Sequence, residues 1–425
     1  MHQTSSVADF QPSELQPAAL PLAKTREPAG FRTAYRLYWL TFFMFFASTG
    51  AGKLWDRVWH ATHRFDTFWS LPHFFIFVMT AVTSILVATI AFTPRLRVWF
   101  GPTVRVPYIP FDVPGPLAIL GAGLIMLSLT IMFDNFWHTA FGLDETQWSI
   151  PHDMLGWCWF TIVIGFVAAR LAFRQYRPVS WITNLIIALL ILEFMCPAVL
   201  GPFYLNYSPH LVRALANIPV VRGEPSAQHM YHIYLKFGLT RLTSPLFIPL
   251  VSLFAGAALV FLRKLDRRAR IFLLAPLIWT CFLIARDLYT LFLLHYDGVK
   301  HIPDLLRVAL KEPSLWMPIP LFVAVLAFEL LQRSSFTENR VYAICGAIFA
   351  LCAYSVWHTT LWMILLAIPA ALTMVSGAWI GKWLYQLLEK PTFEKLIKFM
   401  LISCAQLPAI LGIVDLLLRR ATPWP

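Results

Sequence analysis

The chain has 425 residues, of which 58% are hydrophobic and only 13% are charged. These proportions exclude a water-soluble protein with a single core and predict an all-α, polytopic membrane protein. The net charge of +12 is compatible with nucleic-acid binding, but basic clusters between apolar runs are more typical of loops that stay on the cytoplasmic side of a membrane. We therefore expect a lipid bilayer, and no nucleic acid, as the main partner.

Long apolar runs follow one another along the chain and predict about eleven transmembrane helices. Residues 1–33 are polar, so we expect a flexible cytoplasmic tail and no cleavable signal peptide. Residues 34–178 contain the motifs described below and form one expected membrane domain, and residues 179–425 form an additional one of unknown role. The expected spans are 35–52, 70–93, 115–136, 151–172, 180–200, 244–262, 271–293, 314–332, 340–357, 361–384 and 397–418.

Basic residues and histidines are sorted between opposite sets of loops. Lys and Arg cluster in alternate loops, with the densest run at 263–270, and the positive-inside rule places these loops and the N-terminus in the cytoplasm. The loop that ends at His73 carries Lys53, Arg57 and Arg64 against this rule, but the other loops outnumber it. Every histidine except His2 lies on or beside the other loops. We therefore expect a bacterial inner-membrane protein with its chemistry at the periplasmic, outer face. The six cysteines lie in apolar runs without C-x-x-C spacing and predict neither disulfides nor a cysteine metal site.

A carboxylate and two imidazoles mark the segment 53–73. Asp56 and His60 are four residues apart, so they share one face of a helix. Ser70 suits a helix N-cap and Pro72 suits a first helical turn, which predicts that His73 opens the next helix. We interpret the aspartate and the two histidines as ligands of one metal ion.

The same pattern recurs about 78 residues later, in the segment 134–153. Asp134 and His138 are again four residues apart, and Ser149-Ile150-Pro151-His152 repeats the end of the first copy. An in-register repeat across two loops predicts an internal duplication of a helix–loop–helix unit, with one metal site in each copy. The other aligned pairs are Trp59 with Trp137, Asp66 with Asp144, and Trp69 with Trp148.

An Asp/His/His set near a bilayer needs a compensating charge, because burying these polar groups is otherwise costly. A divalent cation supplies that charge, and two histidines with one carboxylate leave open positions for oxygen-handling chemistry. Imidazole suits copper, zinc and iron, so the ligand types alone do not choose the metal. We expect Asp66 and Asp144 to orient histidine N–H groups, with helix capping as their alternative role. We expect four tryptophans to pack around the sites and exclude water: Trp59, Trp69, Trp137 and Trp148.

A simpler interpretation is an aromatic belt, in which tryptophan and histidine side chains lie at the level of the lipid headgroups. The belt explains a single Trp-His pair better than a metal site does. Two in-register copies of D-x-x-W-H, each followed by S-x-P-H, favour metal sites instead. His63 has no counterpart in the second copy, so we expect it to be an exposed loop residue.

The first segment resembles the metal-binding segment of the C subunit of particulate methane and ammonia monooxygenases. In that family, an aspartate is followed four residues later by the histidine of a Trp-His pair. A second aspartate comes six residues after this histidine, and a final histidine thirteen residues after it. Asp56, His60 and His73 fall at those spacings. The resemblance covers roughly residues 35–175 and implies a copper site at this set.

The same family has a second copper site, formed by an asparagine and two histidines. Asp134, His138 and His152 have its spacing, with aspartate in place of asparagine, and this departure leaves the metal at the second site open. Residues 180–425 match nothing in the subunit, which is a much shorter chain. The family's enzymes also require partner subunits, one with a large periplasmic cupredoxin-like domain that this chain lacks. The resemblance therefore implies a distant relative or an enlarged single-chain version.

These patterns lead to one expected function and two alternatives. We expect a copper-dependent monooxygenase that oxidises a small apolar substrate from the bilayer, with its catalytic residues unassigned. The first alternative is a non-catalytic protein that acquires, stores or transports copper or zinc, although few ionisable residues lie within the spans to form a transport pathway. The second is a zinc-dependent membrane hydrolase with Asp66, Asp144 or Asp153 as the base. Partner subunits or a homo-oligomer are compatible with each function.

Overall fold

A computed structural model describes residues 29–62, 67–141, 150–174, 176, 180–195, 247–265, 269–296, 318–357 and 361–402. Nearly all of these residues are helical. The described residues also form a π-helix (Ala47–Gly52), a 3₁₀-helix (Leu361–Leu366) and a helical stretch at 393–402. Two short strands, β1 (Thr103–Val104) and β2 (Val113–Pro114), pair in the antiparallel direction. The α-helices are α1 (Ala29–Phe46), α2 (Lys53–Thr62), α3 (Leu71–Phe92), α4 (Pro94–Arg97), α5 (Gly115–Phe141), α6 (Ile150–Phe173), α7 (Trp181–Met195), α8 (Phe247–Leu265), α9 (Ala269–Tyr296), α10 (Pro318–Leu331), α11 (Glu338–Trp357) and α12 (Ala367–Glu389).

The described helices confirm the all-α class and indicate a membrane protein. Four of them are long and apolar enough to cross a bilayer: Leu71–Phe92, Gly115–Trp137, Ile150–Phe173 and Ile364–Glu389. Shorter apolar helices cover Trp181–Leu190, Leu273–Ala285 and Pro318–Leu331. Each of these seven segments lies at a span that the sequence predicts. The total of about eleven spans stays a prediction.

The first helix begins before the end of the tail that the sequence predicts. That tail reaches residue 33, whereas α1 begins at Ala29. Phe31 is fully buried and contacts Trp99 and Phe173 edge to face, with ring centroids 5.6 and 5.8 Å apart. Burial of this aromatic side chain favours an ordered helix start, and a count of apolar residues alone does not reveal it.

The helix ends that carry basic residues meet at one end of the bundle. The contacts of Phe31 join the start of α1 to the segment after α4 and to the end of α6. Arg174, just after α6, donates a hydrogen bond of 2.6 Å to the carbonyl of Lys264 in α8. The ammonium of Lys264 lies 5.2 Å from the ring centroid of Tyr385 near the end of α12. We call this the basic end; its cations include Arg95, Arg97, Arg174, Arg263 and Lys264.

The helix ends that carry the described residues of the two motifs lie at the opposite end. Helix α3 runs from His73 to the basic end, and α5 starts from the basic end, where the Gly115 N–H donates to the Pro102 carbonyl at 2.9 Å. Helix α6 runs back from His152 to the basic end. Because these helices pack as neighbours, the start of α3, the end of α5 and the start of α6 share the far end, which we call the histidine end. His295, in the last turn of α9, also lies there.

Helices α8 and α12 cross with their backbones in contact. A Cβ atom on Gly377 would lie 1.8 Å from the carbonyl oxygen of Leu253, and one on Gly256 would lie 2.2 Å from that of Met374. The hydroxyl of Ser252 donates a hydrogen bond of 2.7 Å to the carbonyl of Ala370. Small residues at the crossing and a hydroxyl bond between helices are the usual means of helix association in lipid.

Candidate metal centre

The first Asp–His pair joins α2 to α3. Asp56 lies in the first turn of α2 and His73 in the first turn of α3. The carboxylate Oδ1 of Asp56 lies 2.8 Å from Nε2 of His73, and the two side chains are 20% and 19% exposed. The structure therefore brings together two of the three ligands that the sequence predicts for this site.

A backbone carbonyl fixes the His73 ring from the other side. Nδ1 of His73 lies 2.9 Å from the carbonyl oxygen of Thr67, which also accepts the Ser70 N–H at 2.9 Å. Because a carbonyl oxygen can only accept, Nδ1 carries a proton and donates it. Phe77, one turn further along α3, stacks on the imidazole with ring centroids 6.0 Å apart. These contacts hold Nε2 towards Asp56.

Helix α3 begins where the sequence predicts, but the capping hydrogen bond expected of Ser70 is not formed. Ser70 occupies the N-cap, and Pro72 lies in the first turn, so His73 opens the helix as expected. The Ser70 hydroxyl makes no capping hydrogen bond, and its oxygen has no hydrogen-bond partner among the described residues. The Ser70 carbonyl accepts the Phe74 N–H at 2.8 Å and so begins the helical hydrogen-bond pattern.

The second Asp–His pair is built in the same way between α5 and α6. Asp134 lies near the end of α5 and His152 in the first turn of α6. Oδ1 of Asp134 lies 3.8 Å from Nε2 of His152, and the side chains are 18% and 26% exposed. Trp137, on the next turn of α5, is half-buried and meets Phe133 edge to face at 6.1 Å. An aspartate of one helix thus again faces the histidine that opens the next helix.

Several predicted site residues lie outside what the structure describes. His60 and His138 lie on α2 and α5, four residues after the aspartates, but their side chains are outside the described part. Trp59 is half-buried on α2. Trp69, which we expected to pack around the first site, is instead 70% exposed and packs on Phe68 and Phe77. Three further predicted residues, Asp66, Asp144 and Trp148, lie outside the described ranges.

A lysine that the motifs do not include connects the two sites. The ammonium of Lys53, at the start of α2, lies 4.1 Å from the ring centroid of Trp159 on α6. Lys53 is three residues before Asp56, and Trp159 is two helical turns after His152. The helices of the two sites are therefore in direct contact. No local spacing rule predicts this contact, because the residues are far apart in the chain.

The distances within both pairs fit two ligands of one ion. Nitrogen and oxygen ligands lie about 2.0–2.2 Å from a divalent transition metal, so two of them stand about 2.8–3.8 Å apart for angles of about 90–120° at the metal. The separations of 2.8 and 3.8 Å lie at the two limits of this range. Within the described residues no group of three or more His, Cys, Asp or Glu side chains meets. The sequence predicts His60 and His138 as the third ligands, and their side chains lie outside the described part of the chain.

Comparisons of this chain with protein-family models, with curated proteins and with solved structures found no match. The functional assignment therefore depends on the geometry of the two pairs and on the motifs that place them.

Proposed function

We propose that this chain is a membrane metalloprotein that binds copper at two Asp/His/His sets and uses it for the O₂-dependent oxidation of a small apolar substrate. The first set is Asp56, His60 and His73; the second is Asp134, His138 and His152. The observation that carries the proposal is the position of the His73 ring, between a carboxylate and a backbone carbonyl.

Both nitrogens of His73 face oxygen atoms that only accept hydrogen bonds. A neutral imidazole has one N–H, and the carbonyl of Thr67 takes it, so the lone pair of Nε2 points at the carboxylate of Asp56. This arrangement requires a positive charge, which is either a second proton on the ring or a cation between Nε2 and Oδ1.

Two further features, the bond of His73 to Thr67 and the position of His60, favour a cation over a second proton on the His73 ring. Ligating histidines typically donate their second N–H to a carbonyl or a carboxylate, as His73 does to Thr67. A protonated His73 would pair with Asp56 without using His60, which follows Asp56 by four residues on α2. A metal ion uses all three, and the second set repeats the arrangement.

Copper is the metal that the resemblance to the monooxygenase C subunit implies. When bound, it would supply the capacity to bind dioxygen and to exchange electrons with it. The protein's own part is to hold the ion, to fix the His73 ring through Thr67, and to limit water with the half-buried Trp59 and Trp137. The exposed apolar faces of the long helices are suited to a substrate that partitions from the bilayer. The second set would hold a second ion or handle substrate.

The proposal includes a duplication and an orientation. Residues 34–178 would be two copies of one helix–loop–helix unit, supported by the equivalent positions of Asp56 with His73 and of Asp134 with His152. The histidine end would face the periplasm, because basic residues gather at the other end and cations are retained on the cytoplasmic side.

The test is the metal content of the chain purified into lipid nanodiscs. We expect about two copper ions per wild-type chain, about one in His73→Ala and in His152→Ala, and essentially none in the double variant, because each site loses a required ligand. His295→Ala is the matched control, since this exposed histidine lies at the same end outside both pairs. Equal copper in the wild type and the double variant would rule out the proposal.

Oxygen uptake then separates catalysis from metal handling. Copper-loaded wild-type protein with a reductant and a short-chain hydrocarbon should consume oxygen and release an oxidised product, and the double variant should not. Bound copper without oxygen uptake would instead assign the chain to copper acquisition or storage.

A further inference from the structure

We propose that the π-helix Ala47–Gly52 takes up one extra residue, so that Asp56 keeps facing His73, and that this device serves the first site only. The inference rests on the proposed function, because it assigns a positioning element to a metal site.

The π-helix lies within one unbroken helical segment, from α1 through α2. The residues that flank it, Phe46 and Lys53, both have α-helical backbone angles, so the direction of the helix continues through the wide turn. The Lys53 N–H donates to the carbonyls of Gly50 and Ser48, three and five residues earlier, where an α-helix would use the residue four earlier. The wide turn therefore contains one residue more than an α-helical turn.

That extra residue has a geometric consequence for Asp56. Each residue of an α-helix turns the chain by about 100°, so one additional residue in a regular helix would turn all later side chains by that angle. A π-turn absorbs the residue locally and leaves the following helix in its former rotation. Without the wide turn, Asp56 would point about 100° away from His73.

The wide turn is held against the helix that carries His73. The hydroxyl of Ser48 lies 3.0 Å from that of Thr80 and donates to the carbonyl of Ile76 at 3.2 Å. Gly52 is buried, and a Cβ there would lie 2.7 Å from Cγ1 of Ile76. Ile76 and Thr80 follow His73 on α3 by three and seven residues. The contacts that hold the wide turn and the histidine that meets Asp56 thus belong to one helix.

The second site offers an internal comparison. Helix α5 is α-helical from Gly115 to Phe141 and carries Asp134 without a π-turn. If a residue is removed from α5 before Asp134, no wide turn is present in that helix to compensate for the change in rotation. The two sites should therefore respond differently to the same kind of change.

The experiment removes one exposed residue before each aspartate. Deletion of Ala51 should close the wide turn to an α-turn and leave the first site intact, with copper content within about twofold of wild type. Deletion of Met132, which is 67% exposed on α5, should turn Asp134 by about 100° and lower copper at the second site by about tenfold. If deletion of Ala51 also lowered the copper content of the first site by about tenfold, the inference would be overturned.

A readout without metal separates this inference from the proposed function. In an Asp56→Cys/His73→Cys chain, a short bifunctional thiol reagent should join residues 56 and 73, detected as a cross-linked peptide by mass spectrometry. We expect the cross-link to survive deletion of Ala51. One alanine inserted after Ala51 exceeds what the wide turn absorbs and should lower the cross-link yield by about tenfold.

Each outcome has one meaning. Should the deletion variant not accumulate in membranes, the insertion variant decides, and an undiminished cross-link in it would overturn the inference. A wild-type chain that binds no metal but shows the expected cross-link pattern would defeat the proposed function and leave the positioning role of the π-helix in place.

Discussion

The ammonium of Lys53 lies 4.1 Å from the ring centroid of Trp159. This contact joins the helix of the first aspartate to the helix that the second histidine opens. Both candidate sites are therefore parts of one packed assembly at the histidine end.

We expect Lys53→Met to lower the free energy of unfolding by about 0.5–1 kcal/mol, because Lys53 is exposed and an exposed cation above an aromatic ring contributes about that much. Lys53→Arg should retain most of it, since a guanidinium also binds an aromatic face. Unfolding by a denaturing detergent in mixed micelles measures the change. In a double-mutant cycle with Trp159→Leu, purely additive effects would show that the contact stabilises nothing.

The crossing of α8 and α12 should tolerate no added atom at Gly377. Gly377→Ala places a Cβ against the Leu253 carbonyl, and such overpacking costs about 1–3 kcal/mol or more. Gly121→Ala in α5 is the matched control, because a Cβ there meets nothing within 4 Å. That substitution should instead stabilise the helix by about 0.5–1 kcal/mol. Equal effects of the two substitutions on unfolding would contradict the close crossing.

Ser252→Ala should cost about 0.6–1.5 kcal/mol, because it removes a buried hydrogen bond between two helices. Ser376→Ala removes a hydroxyl whose bond, to Leu372, lies within its own exposed helix face. We expect a change of about 0.3 kcal/mol or less there. Unfolding measured on both variants side by side tests the difference, and a Ser252→Ala protein as stable as wild type would refute it.

Removal of metal by a chelator should lower the melting temperature of the wild-type chain. A ligand at about one hundred times its Kd stabilises the folded state by about 2.7 kcal/mol. The His73→Ala/His152→Ala chain should melt at one temperature with and without the chelator. A chelator effect of equal size on both chains would place the bound metal elsewhere.

Labelling of single cysteines tests the orientation. Tyr108, in the β1–β2 loop near the basic end, is fully exposed, and Trp69, near the histidine end, is 70% exposed. An impermeant maleimide added to intact cells should label Trp69→Cys at once. It should label Tyr108→Cys only after the cells are opened. The reverse pattern would place the histidine end in the cytoplasm.

The sequence predicts the local features of the first site well. Ser70 and Pro72 correctly place the start of α3, and the i,i+4 spacing correctly places Asp56 and His60 on one helix. The spacing of the motif also predicts that His73 meets Asp56, and their side chains are 2.8 Å apart. These features depend on capping, helical period and short turns, which neighbouring residues determine.

Features that depend on distant contacts could not be predicted in this way. The small residues at 47–52 have no apolar period, and the π-turn is stabilised by Thr80 and Ile76 of another helix. The spacing of Gly377 and Gly381 is visible in the sequence, but the partner helix and the touching residue, Leu253, are not. The contact of Lys53 with Trp159 likewise requires the folded bundle.

The backbone contact at Gly256 and Gly377 also affects how the bundle can move. Helices that touch through main-chain atoms have little free space between them, so we expect α8 and α12 to move together. Helix α6, which begins near His152, packs against α12 and is attached to that pair. Helix α2 instead follows a wide turn of small residues. We therefore expect His152 to move with α8 and α12, whereas Asp56 is held separately, through the contacts of the π-helix with α3.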